Sequence, residues 1–305
     1  MNCANCHGPR LNRCMPDNSF NDLSGYRKAF LLIVGAALLS GISGVIIKLM
    51  SIPATSMAWL RMTTPTIILG VYLVYHKRRI FKKGYKIMLL GSAFNATRMF
   101  FYFVAFIYTS ISNAIIVVYT WPIFATILSA IFLKEKISTR QIILLMSSFG
   151  GILFIYGNHD FSFSNEHFIG LTAGVLAAFF YSCSIIIFKS QTSSFSPFET
   201  IFFQNSLGVL VFLPFFLTNT PAPQPLDWTL GITHGVVIGI IMFGMFFLGL
   251  RKVKASTASI ITYLEIIVAI SLSILVMDEQ LSLQTIIGAV IIIGSTLLLR
   301  KEKSP

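Results

Sequence analysis

Two stretches decide the reading of this chain: SNAIIVVYTWPIFATILSAIFLKEKIS, from Ser112 to Ser138, and ASTASIITYLEIIVAISLSILVMDEQLS, from Ala255 to Ser282. With a constant offset of 144 (258 minus 114), residues 114–155 align with residues 258–299 without a gap. The register pairs Ala114 with Ala258, Tyr119 with Tyr263, Ala125 with Ala269 and Ser129 with Ser273. Further on it pairs Glu135 with Glu279, Ser138 with Ser282 and Gly150 with Gly294. Apolar coincidences are common in so apolar a sequence, but Glu, Ser and Gly coincidences in one register are not, and they mark an internal repeat.

Each copy opens with an apolar run of the length that crosses a bilayer, about 20 residues at 1.5 Å per residue. Working outward, the chain divides into ten such spans: 29–50, 54–75, 86–107, 110–133, 139–157, 168–189, 198–218, 228–250, 256–277 and 281–299. The expected fold is therefore an all-α integral membrane protein of ten transmembrane helices. Its organisation is a tail over 1–28, a five-helix unit over 29–157, a second over 168–299, and a tail over 300–305.

Charge tests this division, because cytoplasmic loops retain Lys and Arg. With the N-terminus inside, 20 of the 23 basic residues fall on the inner side, in groups such as Lys77 to Lys86, Lys134 to Arg140 and Arg251 to Lys254. The outer connections 158–167 and 219–227 hold none, and Lys48, Arg61 and Arg98 fall within spans. Five spans separate the two copies, an odd number, so they insert in opposite senses, with Glu135 inside and Glu279 outside. Inverted repeats of this kind are typical of secondary transporters.

Composition excludes other classes. The 305 residues are 55% hydrophobic and 11% charged, with a mean hydropathy of +0.79. The net charge of +12 lies between apolar runs rather than on one face, which argues against nucleic acid as a partner. Cys3, Cys6 and His7 match the CxxCH haem-attachment pattern, and Cys14 adds a possible zinc ligand. Haem c is attached outside the cytoplasm, whereas the charge pattern places this tail inside, so no cofactor, metal or disulfide framework is expected.

The chain resembles the EamA-type families of the drug/metabolite transporter superfamily. The resemblance rests on the two stretches quoted above, on Lys48 closing the first span, and on Arg61 in AWLRM, and it covers residues 29 to 299. It implies a ten-helix alternating-access carrier of small organic solutes with both termini cytoplasmic, here in a bacterial inner membrane. The family often has Leu-Glu-Pro in the second half. Here Leu264 and Glu265 are followed by Ile266, so no proline-induced break is expected there.

An ionised side chain at a helix centre costs about 2.5 kcal/mol or more, which makes each one a functional candidate. Arg98 lies mid-span with Asn95 and Tyr102 on one helical stripe, suited to a substrate carboxylate. Its bland alternative is a structural ion pair. Glu265, about 14 Å into its span, is suited to a substrate amine or a coupling proton, or merely to neutralising an arginine. Arg61 and Lys48 lie nearer the outer interface, where snorkelling competes with binding, more strongly for Lys48.

Tyr102, Tyr119, Trp121, Tyr181 and Tyr263 bring polar tips on aromatic bodies to mid-membrane, and the repeat relates Tyr119 to Tyr263 across its axis. Pro122 interrupts the fourth span and frees carbonyls, as transporter sites often require. The stripes Gly170, Ala173, Gly174, Ala177 and Gly231, Gly235, Gly239 read as packing faces.

The leading function is secondary transport of a small carboxylate-bearing metabolite, such as an amino acid or an S-adenosylmethionine-like compound, with a proton as candidate coupling ion. An intramembrane enzyme would need clustered catalytic groups, and no HExxH or GxGD is present. A membrane scaffold would need neither the repeat nor the interior charges.

Overall fold

The computed structural model describes residues 19–109, 111–156, 165–218, 222–277 and 283–299, and among them it is entirely helical. The first half comprises α1 (Ser19–Ser40), α2 (Ser43–Lys48), α3 (Ala54–Tyr75), α4 (Tyr85–Tyr108), α5 (Ile111–Val118), α6 (Trp121–Phe132) and α7 (Thr139–Tyr156). The second comprises α8 (Asn165–Ser190), α9 (Pro197–Leu217), α10 (Pro225–His234), a π-helical segment (Gly235–Met242), α11 (Phe243–Leu250), α12 (Ala255–Ile261), α13 (Leu264–Met277) and α14 (Leu283–Leu299). The expectations placed on the Cys-rich tail, on residues 158–164 of the loop 158–167, on Glu279 and Ser282, on the Lys48 side chain and on the tail 300–305 lie outside what the structure describes.

Among the described residues, eight helices are long and apolar enough to cross a membrane, where ten were expected. The expected spans 139–157 and 281–299 correspond to α7 and α14, whose apolar runs are Thr139–Phe154 and Ile286–Leu298. At the helical rise these runs reach about 24 and 20 Å, short of a hydrocarbon core of about 30 Å. The two pack on each other closely enough that a Cβ added at Gly151 would lie 2.9 Å from the Gly288 carbonyl oxygen. Large apolar side chains such as Ile67, Val71, Leu210 and Val290 lie exposed on outer faces, a surface suited to lipid.

Three interruptions shape the interior. Between α1 and α2 the chain turns at Gly41, where a Cβ would lie 2.7 Å from the Glu265 carbonyl oxygen, so α1 can press against α13 only with glycine there. Between α5 and α6 the helix opens at Tyr119 and Thr120, because Pro122 has no N–H to donate and its ring crowds the preceding turn. Ile123 N donates to Thr120 O instead of continuing the α pattern.

The third interruption departs from the sequence expectation. The helix breaks between Ile261 and Leu264 without a proline. Tyr263, Glu265 and Ile266 donate their N–H groups three residues back, to Ile260, Thr262 and Tyr263, so the turn tightens rather than opens. Hydroxyls satisfy further carbonyls, with Thr262 Oγ1 on Ser259 O and Ser259 Oγ on Ser256 O. The π-helical segment is likewise unforeseen; the glycine stripe that enters it from α10 is pressed against α3, with Gly231 on Leu60, Gly235 on Thr64 and Gly239 on Pro65.

Glu135, from the repeated Lys-Glu pair, ties the halves together. Its carboxylate accepts Ala255 N at 2.8 Å and Ser256 N at 3.3 Å, capping the start of α12. Lys189 of α8 donates to the Leu250 and Val253 carbonyls at the end of α11, the latter at 2.8 Å. At the start of α9, Ser196 and Glu199 form a reciprocal capping box that also holds Lys82 at 2.8 Å.

Candidate functional site

The two mid-helix breaks face one another. Tyr119 OH donates to Glu265 Oε1 at 2.5 Å, and Tyr263 OH donates to the Tyr119 carbonyl at 2.9 Å, with ring centroids 6.2 Å apart. Tyr263 is fully buried, and its hydroxyl supplies the donor that the broken α5–α6 helix lacks. Ser40, at the end of α1, lines the same small cavity as Glu265.

Beside Glu265 lies a cavity of about 40 Å³ walled by Ser40, Trp121, Tyr181, Phe243 and Thr262. That is room for a few waters and far less than the several hundred Å³ of a metabolite pocket. Trp121 stands edge-on to Tyr181 at 4.8 Å, and its carbonyl accepts Ser182 Oγ at 2.7 Å, fixing α6 to α8.

Two guanidiniums stand behind these aromatic walls. Arg98 Cζ lies 4.4 Å from the Tyr181 ring centroid and 6.0 Å from that of Tyr102, while Arg61 Cζ lies 5.8 Å from that of Phe243. Cation–π contacts lower the cost of such burial without neutralising the charge. Among the described residues, neither arginine has a carboxylate within 4.0 Å. Instead both reach the same weak acceptor, the Met99 sulfur, Arg98 Nη2 at 3.1 Å and Arg61 Nη1 at 3.9 Å. Arg98 Nε is buried with no hydrogen-bond partner.

The structure thus gathers Arg98, Glu265, Tyr119, Tyr263, Tyr102, Trp121, Arg61 and Tyr181 around one interior region. Asn95, on the same stripe of α4, spends its amide on the Gln204 carbonyl at 2.9 Å and so ties α4 to α9. Ser40, Phe243 and Met99 join the region without having been singled out in the sequence. Ser40 adjoins Gly41, which lets α1 close on α13, whereas Phe243 and Met99 are apolar residues among many, and only tertiary contact marks them.

The model of the EamA-like transporter family matches this chain twice, over residues 27–157 and 168–301. Among curated relatives, an uncharacterized transporter, YxxF of Bacillus subtilis, is 26% identical over 285 residues, covering 90% of this chain and 91% of that protein. The pseudopaline exporter CntI of Pseudomonas aeruginosa is 23% identical, covering 91% and 97%. Mouse solute carrier family 35 member G1 is 23% identical, covering 88% and 76%. A solved crystal structure superimposes with a TM-score of 0.76 at 17% identity over 90% of this chain and 98% of that one, a likeness of fold.

Proposed function

The chain belongs to the EamA-like transporter family, and from that premise we propose that it is a secondary transporter of a small carboxylate-bearing solute, working by alternating access around Arg98 and Glu265. The observation that carries this reading is the pair of interior guanidiniums that have no carboxylate partner among the described residues, next to a hydrogen-bonded carboxylate at two helix breaks. Each unpaired interior charge costs about 2.5–3.5 kcal/mol, a cost that a structural role alone does not explain. A cavity of about 40 Å³ is closed to a metabolite, so uptake requires the walls to part.

In this reading α7 and α14 complete ten spans, arranged as two inverted five-helix units. Both termini lie in the cytoplasm of a bacterial inner membrane. Reporter fusions at each terminus and within Lys77 to Lys86 should report inside, and one within 158–167 outside. An external N-terminus would overturn the inverted arrangement.

Purified protein in liposomes should take up a radiolabelled solute from a panel of amino acids and nucleotide-like metabolites, with Arg98→Ala folded but inactive. Normal transport by Arg98→Ala would remove Arg98 from the site. A second reading adds proton coupling, favoured by the 2.5 Å bond from Tyr119 to Glu265, which offers a path for proton exchange at the carboxylate.

A further inference from the structure

Among the described residues, Glu265, Tyr263 and Asn95 each have an oxygen or O–H partner at the interior site, whereas the hydrogen bonds of the two arginines reach only the Met99 sulfur. Glu265 accepts the Tyr119 hydroxyl, and no guanidinium among the described residues lies within 4.0 Å of it. Tyr263 is spent on the Tyr119 carbonyl, and Asn95 on the Gln204 carbonyl. What faces Arg98 and Arg61 is aromatic, namely Tyr102, Tyr181 and Phe243, together with the Met99 sulfur.

A thioether is a weak acceptor, whereas a carboxylate takes two guanidinium N–H groups at once through short, charge-assisted bonds. Two like charges converging on one weak acceptor in a medium of low dielectric repel each other, and an anion between them would reverse that. Met99 lies buried between them.

Building on the transporter reading, we infer that Met99 occupies the seat of the substrate's acidic group: a carboxylate displaces the Met99 sulfur and binds Arg61 and Arg98 together. The charges then fix the solute class. With Glu265 ionised, two arginines leave one positive charge uncompensated, and with Glu265 protonated they leave two. The site therefore favours a solute of net negative charge, such as a dicarboxylate or an acidic amino acid, over a neutral zwitterion. Met99 becomes a specificity-determining residue, since what replaces it decides whether the seat is open, empty or filled.

The test is thermal unfolding of the full chain in detergent with sodium succinate or sodium glutamate. Sodium chloride at matched ionic strength and ethanolamine serve as controls. Succinate should raise the wild-type Tm, and neither control should. Met99→Glu places a carboxylate between the arginines, so it should raise the Tm without ligand and abolish the succinate response. Met99→Leu keeps the volume but removes the competing acceptor, so it should fold and bind succinate about twofold tighter.

The inference is overturned if neither dicarboxylate shifts the wild type. It is also overturned if Met99→Glu responds as the wild type does, or if Met99→Glu is merely destabilised while Met99→Leu binds succinate like the wild type. Binding with these variant effects but without transport in liposomes would remove the transporter reading and leave the seat standing. Transport unaffected by Met99→Glu would do the reverse.

Discussion

The α5–α6 and α12–α13 interruptions occupy repeat-equivalent positions, Tyr119 and Tyr263, yet they are made by different means and carry different chemistry. In the first half Pro122 removes a donor and forces the helix open. In the second, N–H groups reach three residues back and the Thr262 and Ser259 hydroxyls satisfy the backbone without proline. The halves then meet through Tyr263 OH on the Tyr119 carbonyl and Tyr119 OH on Glu265. The repeat thus supplies a shared scaffold, whereas the ionisable group belongs to one half only. The position related to Glu265 is Trp121, which packs on Tyr181.

The largest effect should come from removing that one-sided charge. Glu265→Gln keeps the shape and should reduce uphill, pH-driven uptake about tenfold or more, a change of ~1.4 kcal/mol, while exchange of solute across the liposome membrane persists. If Glu265 instead holds a substrate amine, both modes fall together, and analogues lacking the amine are affected less. Unchanged transport in both assays would reduce it to a counter-ion, and the two breaks would then be functionally alike.

Next are the tyrosines. Tyr263→Phe removes the hydroxyl that binds the Tyr119 carbonyl and should cost about 1.5 kcal/mol of stability, read as a lower Tm with KM little changed. Tyr119→Phe removes a donor from Glu265 and should act mainly on transport and its pH profile. Equal effects of the two on both readouts would erase the assigned difference between scaffold and chemistry.

The smallest effect should follow from giving the second break its proline. Ile266→Pro loses the bond from Ile266 N to Tyr263 O, 3.2 Å in the structure, at a cost of about 0.5–1.5 kcal/mol. The break is already present, so transport should persist. Pro122→Ala should be the more disruptive of the two, because it lets α5 and α6 join. A transport-dead, well-folded Ile266→Pro would show that the second break must close during the cycle.

Much of this was legible in the sequence, for identifiable reasons. Hydrophobic length gives the long spans, because a bilayer imposes it, and the offset repeat gives the pairing of Tyr119 with Tyr263. Pro122 announces its break because a missing donor is a local property. The second break is not announced, since its stability depends on hydroxyls and on a tyrosine reaching a carbonyl 144 residues away (263 minus 119).

The lengths of α7 and α14 blurred the helix count, because their apolar runs end short of a full crossing and they pack on each other. The depth of Arg61 suggested an interfacial head group, but its guanidinium lies over Phe243 and reaches toward Met99. Met99 carried no signal of its own, since an apolar residue beside Arg98 becomes informative only when a second arginine arrives from another helix.

The account stands or falls on solute flux through purified protein. Wild type and Arg98→Ala, shown by thermal unfolding to be equally folded, would be reconstituted in liposomes and assayed for counterflow of a radiolabelled acidic solute drawn from dicarboxylates and acidic amino acids. The account predicts saturable counterflow for the wild type and none for Arg98→Ala. Equal counterflow by the two proteins would contradict it.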